Sequence, residues 1–270
     1  MTASLGARST ATVRPALPFW ALLLLGAAAG YLSGLFGVGG GIIVVPVLVL
    51  LGLDQRIAAG SSVAAILPTS IVGAIGYGVS GNVDWLAGLM LAVGVVLGAQ
   101  IGSYLLSRLS RAELLWGFVG FLLIVAASLW LVVPERDDNI ELNGWMIAGL
   151  IALGVITGIL SGLLGVGGGI VVVPTLVLLF GASDLIAKGT SLLMMVPGSI
   201  SATVGNVRRK NFDLRVALIV GLTACATSPL GLLTATKISP LWSNVAFSIL
   251  LAAVSVQLVV KHLRSRPRTR

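Results

Sequence analysis

Two clusters of glycine residues interrupt hydrophobic stretches in this chain of 270 residues. They contain Gly37, Gly39, Gly40 and Gly41 in the first half of the chain, and Gly165, Gly167, Gly168 and Gly169 in the second half. Glycine destabilises a helix by roughly 1 kcal/mol per residue, so each cluster predicts an unwound backbone. A helix that begins after such a break presents unpaired N–H groups and a positive dipole end, and both attract anions. We therefore expect the eight glycines to form an anion-binding site.

Pairs of hydroxyl side chains follow the two clusters at matched positions. Ser61 and Ser62 form the first pair, and Thr190 and Ser191 form the second. A proline follows each pair within seven residues, and hydroxyls beside a helix kink suit a polar pocket. We therefore add the four hydroxyl residues to the candidate substrate-binding set. The alternative role is hydrogen bonding to carbonyls of their own helix, which is common in membrane helices.

The glycine clusters have two alternative interpretations. Glycine also allows membrane helices to pack closely, and this role alone could explain both clusters. A phosphate-binding loop of the ATPase type requires Lys followed by Ser or Thr, and neither cluster is followed by that pair. The clusters therefore predict either an anion site or close helix packing, and no built-in ATPase.

The composition is that of an integral membrane protein. Hydrophobic residues make up 57% of the chain and charged residues 10%, whereas a soluble domain has roughly 25% charged residues. The mean hydropathy is +1.08. The net charge of +8 comes largely from basic residues at the chain ends and in short loops, which favours contact with anionic lipid over nucleic acid. We expect an all-α membrane protein in contact with lipid.

The chain contains few groups that could carry out catalysis. Cys225 is the single cysteine and His262 the single histidine, and they lie in separate hydrophobic and basic contexts. No set of nucleophile and base, and no set of metal ligands, can be assembled from the sequence. We therefore expect a protein that is not an enzyme and needs no metal or cofactor.

The whole chain is an internal duplication. The segment Ser33 to Pro46 returns as Ser161 to Pro174 with 12 of 14 residues identical, and the match continues at an offset of 129 residues. We assign residues 1–16 to an N-terminal tail, 17–133 to the first membrane repeat, 134–144 to a linker, 145–262 to the second repeat and 263–270 to a basic tail.

Each repeat contains five hydrophobic stretches. They cover residues 17–36, 42–53, 57–79, 84–107 and 112–133 in the first repeat, and 145–164, 170–181, 185–205, 213–235 and 240–262 in the second. The stretch after each glycine cluster has only 12 residues, or about 18 Å as a helix, whereas the hydrocarbon core is about 30 Å thick. These two stretches are predicted to be half-helices in glycine-broken hairpins.

The basic loops predict the orientation of the repeats. Basic residues in both tails, at Arg108 and Arg111, and at residues 208–210 predict four cytoplasmic ends, with the linker outside. Five crossings per repeat satisfy this pattern, and so do three crossings plus a hairpin that does not cross. Both counts are odd, so the second repeat is predicted to be inverted relative to the first.

Lys188 breaks the match between the repeats because Ala59 occupies its position in the first repeat. A lysine beside the second hydroxyl pair could attract an anion, or its amine could extend to the membrane surface along an apolar stem. We predict the second arrangement. The mismatch predicts an asymmetric pocket in either case.

The duplicated motifs resemble a known family. GLFGVGGGIIVVPVLV and GLLGVGGGIVVVPTLVL, each followed by G-[ST]-S and a proline, are similar to those of the sulfite exporter TauE/SafE family across about residues 17–262. The resemblance implies a permease of the inner membrane that carries sulfur-containing anions such as sulfite and sulfonates.

The residues and the resemblance together predict a secondary transporter, most simply an exporter, of small anions. The alternatives are a passive anion channel and a membrane scaffold that does not transport. The expected partners are a small anionic substrate, membrane lipid and a second copy of the chain in a homo-oligomer.

Overall fold

A computed structural model describes residues 17–128, 130 and 144–265. The N-terminal tail, nearly all of the linker and the last five residues of the basic tail lie outside the described residues. The described part forms ten helices: α1 Phe19–Phe36, α2 Gly41–Leu50, α3 Gln55–Val79, α4 Trp85–Arg108, α5 Arg111–Ser128, α6 Gly144–Leu164, α7 Gly169–Phe180, α8 Asp184–Arg208, α9 Leu214–Lys237 and α10 Pro240–Ser265.

Seven of the described helices are long and apolar enough to cross a membrane. They are α1, α3, α4, α6, α8, α9 and the part of α10 between Pro240 and Val260. Large apolar side chains on their outer surfaces are exposed, for example Leu24, Leu97 and Leu222. Such a surface is stable only in contact with lipid. The chain is therefore a multi-span membrane protein, as its composition predicts.

Acidic residues between the hydrophobic stretches cap the helices that follow them. The side chain of Asp54 accepts a hydrogen bond from the N–H of Arg56, and Asp84 and Asp213 cap α4 and α9 in the same way. Ser183 caps α8 through its hydroxyl. Each cap satisfies an N–H group that has no partner within its helix. These caps explain why carboxylates are found at the breaks between apolar stretches.

Glycines allow α1 and α9 to pack with their backbones in contact. An added Cβ at Gly30 would touch the carbonyl oxygen of Ala224, and one at Gly34 would touch that of Ser228. Both contacts advance by four residues, so the two helices run in the same direction. These glycines therefore allow close packing of helices, which is the alternative role considered above for the glycine clusters.

The same contact recurs between α4 and α6. An added Cβ at Gly98 would touch the carbonyl oxygen of Val155, and one at Gly102 would touch that of Ile159. These two helices are therefore also parallel. In each repeat, the first helix packs against the fourth helix of the other repeat, so neither repeat buries its glycine faces alone.

The helices α3 and α8 lie at the centre, where α8 packs against α4 and α3 against α9. Val95 touches Gly198 and Ser103 touches Gly205, so α4 and α8 are parallel. The turn between α3 and α4 is short, and Gly78 contacts Trp85 across it, so α4 runs back along α3.

The pairing of α3 with α9 completes the set of directions. Gly221 of α9 contacts Ala65 of α3, and further along both helices Leu232 of α9 contacts Gly76 of α3. The helices α1, α3 and α9 therefore run one way, and α4, α6 and α8 run the opposite way.

The half-helices α2 and α7 turn back instead of crossing. Leu53, just after α2, lines the same pocket as Leu17 and Leu22 at the beginning of α1. Phe180 lies at the end of α7, and its ring is 3.3 Å from a Cβ added at Gly149, near the beginning of α6. Each hairpin, formed by α1 with α2 or by α6 with α7, therefore ends at the level where it began. This geometry matches the second count, in which each repeat has a hairpin that does not cross and three further helices.

The helix boundaries follow the hydrophobic stretches within a few residues. The half-helices have 10 and 12 residues. The linker was assigned to residues 134–144, but Gly144 is already the first residue of α6. Pro46 and Pro174 lie inside the half-helices and are buried.

Candidate functional site

The two glycine clusters meet inside the protein. An added Cβ at Gly41 would lie 2.5 Å from the carbonyl oxygen of Gly165, and one at Gly169 would touch that of Gly37. All eight candidate glycines are buried. The contact is reciprocal, because each cluster uses its last glycine to approach the first glycine of the other. The structure thus brings together both halves of the predicted site.

Six of the eight candidate glycines have backbone angles that other residues rarely adopt. The φ angles are +69°, +79° and +76° at Gly37, Gly39 and Gly40, and +76°, +91° and +88° at Gly165, Gly167 and Gly168. A left-handed conformation costs an L-residue roughly 1–2 kcal/mol. The angles reverse the chain between a full helix and a half-helix, so glycine is required for the turn itself as well as for packing.

Backbone N–H groups at the two turns remain unpaired. In the described part of the chain, the N–H groups of Gly39, Gly40 and Gly41 meet no acceptor, and neither do those of Gly167, Gly168 and Gly169. The first bonds of the two half-helices come later. Ile43 and Val44 donate to the carbonyl of Gly40, and Val171 and Val172 donate to that of Gly168. A buried N–H without an acceptor costs free energy, which an anionic ligand would recover. The two sets of donors come from loops that touch.

The four candidate hydroxyls connect the repeats. Ser62 donates a hydrogen bond to the carbonyl oxygen of Gly165 over 2.7 Å, and Ser191 donates one to Gly37 over 2.5 Å. Ser61 accepts a bond from the N–H of Asp213, and Thr190 accepts one from the N–H of Asp84. Bonding only to their own helix, the alternative role, is therefore wrong for these residues, although Ser191 also contacts the carbonyl of Lys188.

The direction of these bonds separates the roles of the two pairs. A hydroxyl has one proton, and Ser62 and Ser191 use theirs to hold the opposite glycine turn. Ser61 and Thr190 act as acceptors, so their protons are not used in those bonds. Ser62 and Ser191 thus shape the site, while Ser61 and Thr190 keep a proton that a ligand could accept. Contact of any of the four with substrate stays a prediction.

Ile66 and Met195 fill the space between the two turns. An added Cβ at Gly39 would lie 2.9 Å from Sδ of Met195 and 3.0 Å from Cγ2 of Ile66, and one at Gly167 would contact the same two side chains. Both residues are buried. They occupy equivalent positions in the two repeats, one helical turn after Ser62 and Ser191. Neither residue was among the predicted site residues, although spacing of four residues places them on the same helix face as the hydroxyls.

The prediction that the amine of Lys188 extends to the membrane surface is wrong. Lys188 is 3% exposed, and its amine lies 3.1 Å from a carboxylate oxygen of Asp184 and 3.0 Å from the hydroxyl of Ser243. A carboxylate one turn earlier on the same helix gives the amine a buried partner, so it does not need to reach the surface. The sequence spacing of four residues was the signal for this pair.

We expect Ser62→Ala or Ser191→Ala to destabilise the fold. Each change removes a buried bond between repeats and leaves a carbonyl of a glycine turn without that donor, which costs about 1–3 kcal/mol. The measurement is thermal unfolding of the purified protein in detergent. Ser80→Ala is the matched control, because the hydroxyl of Ser80 is exposed and bonds only within its own helix. Equal stability of the Ser191 and Ser80 variants would contradict the expectation.

Comparison with known proteins adds independent evidence. Residues 2–129 and 150–270 match the family model described as sulfite exporter TauE/SafE. A probable membrane transporter protein of Methanocaldococcus jannaschii is 26% identical over 253 residues, covering 88% of this chain and 94% of the relative. One of Haemophilus influenzae is 29% identical over 259 residues, covering 88% and 97%. No solved structure matches the chain significantly.

The family match and the observed fold both indicate a membrane transporter. The matched ranges contain both glycine clusters and all four candidate hydroxyls. The relatives are named as membrane transporters, and the described helices are those of a multi-span membrane protein. The chain belongs to the sulfite exporter TauE/SafE family.

Proposed function

We propose that this protein is a secondary transporter that exports small sulfur-containing anions, such as sulfite or organosulfonates. The observation that carries the proposal is the pair of touching glycine turns with unpaired buried N–H groups. Each turn begins a half-helix, whose N-terminus has roughly half a positive charge. Two such ends and several N–H donors match an anion whose oxygens accept hydrogen bonds from several directions.

The directions of the helices support alternating access. With α1, α3 and α9 opposed to α4, α6 and α8, the first helix of one repeat runs against the first helix of the other, which is what inverted repeats require. In carriers of this kind, broken helices from the two repeats form the substrate site near the middle of the membrane. We propose that Ile66 and Met195 close the site in the present conformation and move aside when either repeat tilts.

We place the protein in the inner membrane of the cell, with both termini in the cytoplasm. Arg108 ends α4 and Arg208 ends α8, and these helices are parallel, so both arginines lie at one end of the molecule. Arg209 joins them there, since it and Arg108 lie over the ring of Tyr104. Clustered basic residues favour the cytoplasmic face. Export along the electrochemical gradient follows if the cytoplasm supplies the anion.

The experiment that tests the proposal is transport of labelled sulfite and simple sulfonates in proteoliposomes. We expect a saturable initial rate, acceleration when unlabelled anion is present on the opposite side, and no flux in liposomes without protein. Absence of flux for every anion tested would overturn the proposal. Flux that does not saturate and shows no counter-transport would favour a passive channel, whereas a scaffold would give neither flux nor ligand-dependent stabilisation.

A further inference from the structure

The ion pair between Lys188 and Asp184 is buried beside the candidate site. Both residues lie in the first turns of α8, and both are less than 5% exposed. Ser243, near the beginning of α10, supplies a second hydrogen-bond partner for the amine. Charged groups inside a membrane protein are costly to bury and are usually found where they act on a substrate or an ion.

The fold does not need charges at this position. The equivalents of Asp184, Lys188 and Ser243 in the first repeat are Gln55, Ala59 and Leu114, and those last two are buried in an apolar cluster. The same contact between helices is therefore formed without charges in the first repeat and with an ion pair in the second. Apolar replacement of a buried ion pair is often neutral or stabilising. A structural role alone does not explain why the second repeat has the charged version.

The position of Lys188 connects it to the glycine turn of the first repeat. An added Cβ at Gly37 would lie 2.6 Å from the Cα of Lys188. The carbonyl of Lys188 also accepts a bond from Ser191, the hydroxyl that holds Gly37. The amine is carried on a flexible four-carbon stem, and the base of that stem lies against this turn.

We infer that Lys188 is a binding residue for the transported anion and that Asp184 holds its amine when the site is empty. This inference rests on the proposed function. When the anion enters between the turns, its negative charge replaces the carboxylate of Asp184 as the partner of the amine. The matched position on the other side of the site, Ala59, provides no charge. The positive charge that binds the anion therefore lies on the side of the site where α8 begins. In the proposed orientation this is the external side.

The test compares KM for labelled sulfite in proteoliposomes containing wild type, Lys188→Met or Asp184→Asn. Lys188→Met should raise KM about tenfold or more, the effect of losing a hydrogen bond to a charged group. Asp184→Asn should lower KM and slow turnover, because the anion no longer competes with a carboxylate for the amine. A purely structural ion pair would move KM in the same direction in both variants, and that result would overturn the inference.

Two further variants separate charge from packing. Lys188→Arg keeps the positive charge and should retain a KM within a few-fold of wild type, while Ser243→Ala removes only a neutral partner and should behave likewise. If Lys188→Met does not fold, Asp184→Asn alone tests the inference. An unchanged or raised KM in that variant would contradict the replacement of Asp184 by the anion as the partner of the amine. Wild type that carries no anion would refute the proposed function itself, whereas wild-type transport with unchanged KM in Lys188→Met would refute only the role of Lys188.

Discussion

Alanine at Gly39 or at Gly167 should reduce anion transport at least about tenfold while the protein stays folded. The atoms nearest to an added methyl at Gly39 belong to the side chains of Met195 and Ile66, at 2.9 and 3.0 Å, and at Gly167 the nearest atoms belong to the same residues. These side chains can shift, but we expect the methyl group to obstruct the approach of an anion to the unpaired N–H groups. A charged hydrogen bond is worth about 1.5–3 kcal/mol, so blocking several donors removes most of the binding.

The measurement is the initial rate of sulfite flux together with thermal unfolding of each variant. Gly81→Ala is the matched control, because Gly81 has a similar φ of +74° but nothing lies within 4 Å of an added Cβ. It should show the same backbone strain of roughly 1–2 kcal/mol without loss of transport. Wild-type flux in Gly39→Ala would mean that the anion does not bind at the turns.

Gly40 and Gly168 are less suitable for this test. An added Cβ at Gly40 would lie 2.5 Å from the carbonyl oxygen of Ala29, and one at Gly168 would press on Thr157. A larger side chain at Gly40 therefore collides with backbone, which cannot move without displacing α1. Loss of transport in such a variant would report misfolding as readily as a blocked site.

Alanine at Gly98 should destabilise the protein by about 3 kcal/mol, at the upper end of the typical range for overpacking. Its methyl would overlap the carbonyl oxygen of Val155, where α4 and α6 lie in backbone contact. Separation of the two helices would also expose the neighbouring glycine faces along their length. The expected result is a large fall in unfolding temperature, measured on protein in detergent.

The control for this change is Gly120→Ala in α5. Nothing lies within 4 Å of an added Cβ at Gly120, so the only effect is the higher helix propensity of alanine, about 1 kcal/mol in favour of folding. The two glycine-to-alanine changes should therefore shift the unfolding temperature in opposite directions. A Gly98→Ala variant as stable as wild type would show that α4 and α6 are not in backbone contact.

The position of the candidate site followed from the sequence because it depends on local chemistry. Runs of glycine disfavour a helix wherever they occur, and the duplication placed one run in each half of the chain. The half-helices after Gly41 and Gly169 were predictable for the same reason. The contribution of Ile66 and Met195 was not, because an apolar residue on an apolar helix has no distinguishing signal until its neighbours are known.

The partners of polar groups depended on tertiary structure. The spacing of Asp184 and Lys188 permits an ion pair on any helix, but whether the amine turns inward depends on the space beside Ser243. In the same way, the sequence allows Ser62 and Ser191 to bond to their own helix or to another one. Contact between the repeats gives both of them a bond to the opposite glycine turn, and Ser191 also keeps a bond within its own helix.

By itself, the sequence determined the membrane class, the two repeats, the helices and the broken positions, because hydropathy, periodicity and glycine content act over a few residues. Only the tertiary structure decided that the hairpins turn back and that the first helix of each repeat packs on the fourth helix of the other. It also decided that the two glycine turns touch. These features join residues that are distant in the sequence, and their energies arise from close packing that no local pattern encodes.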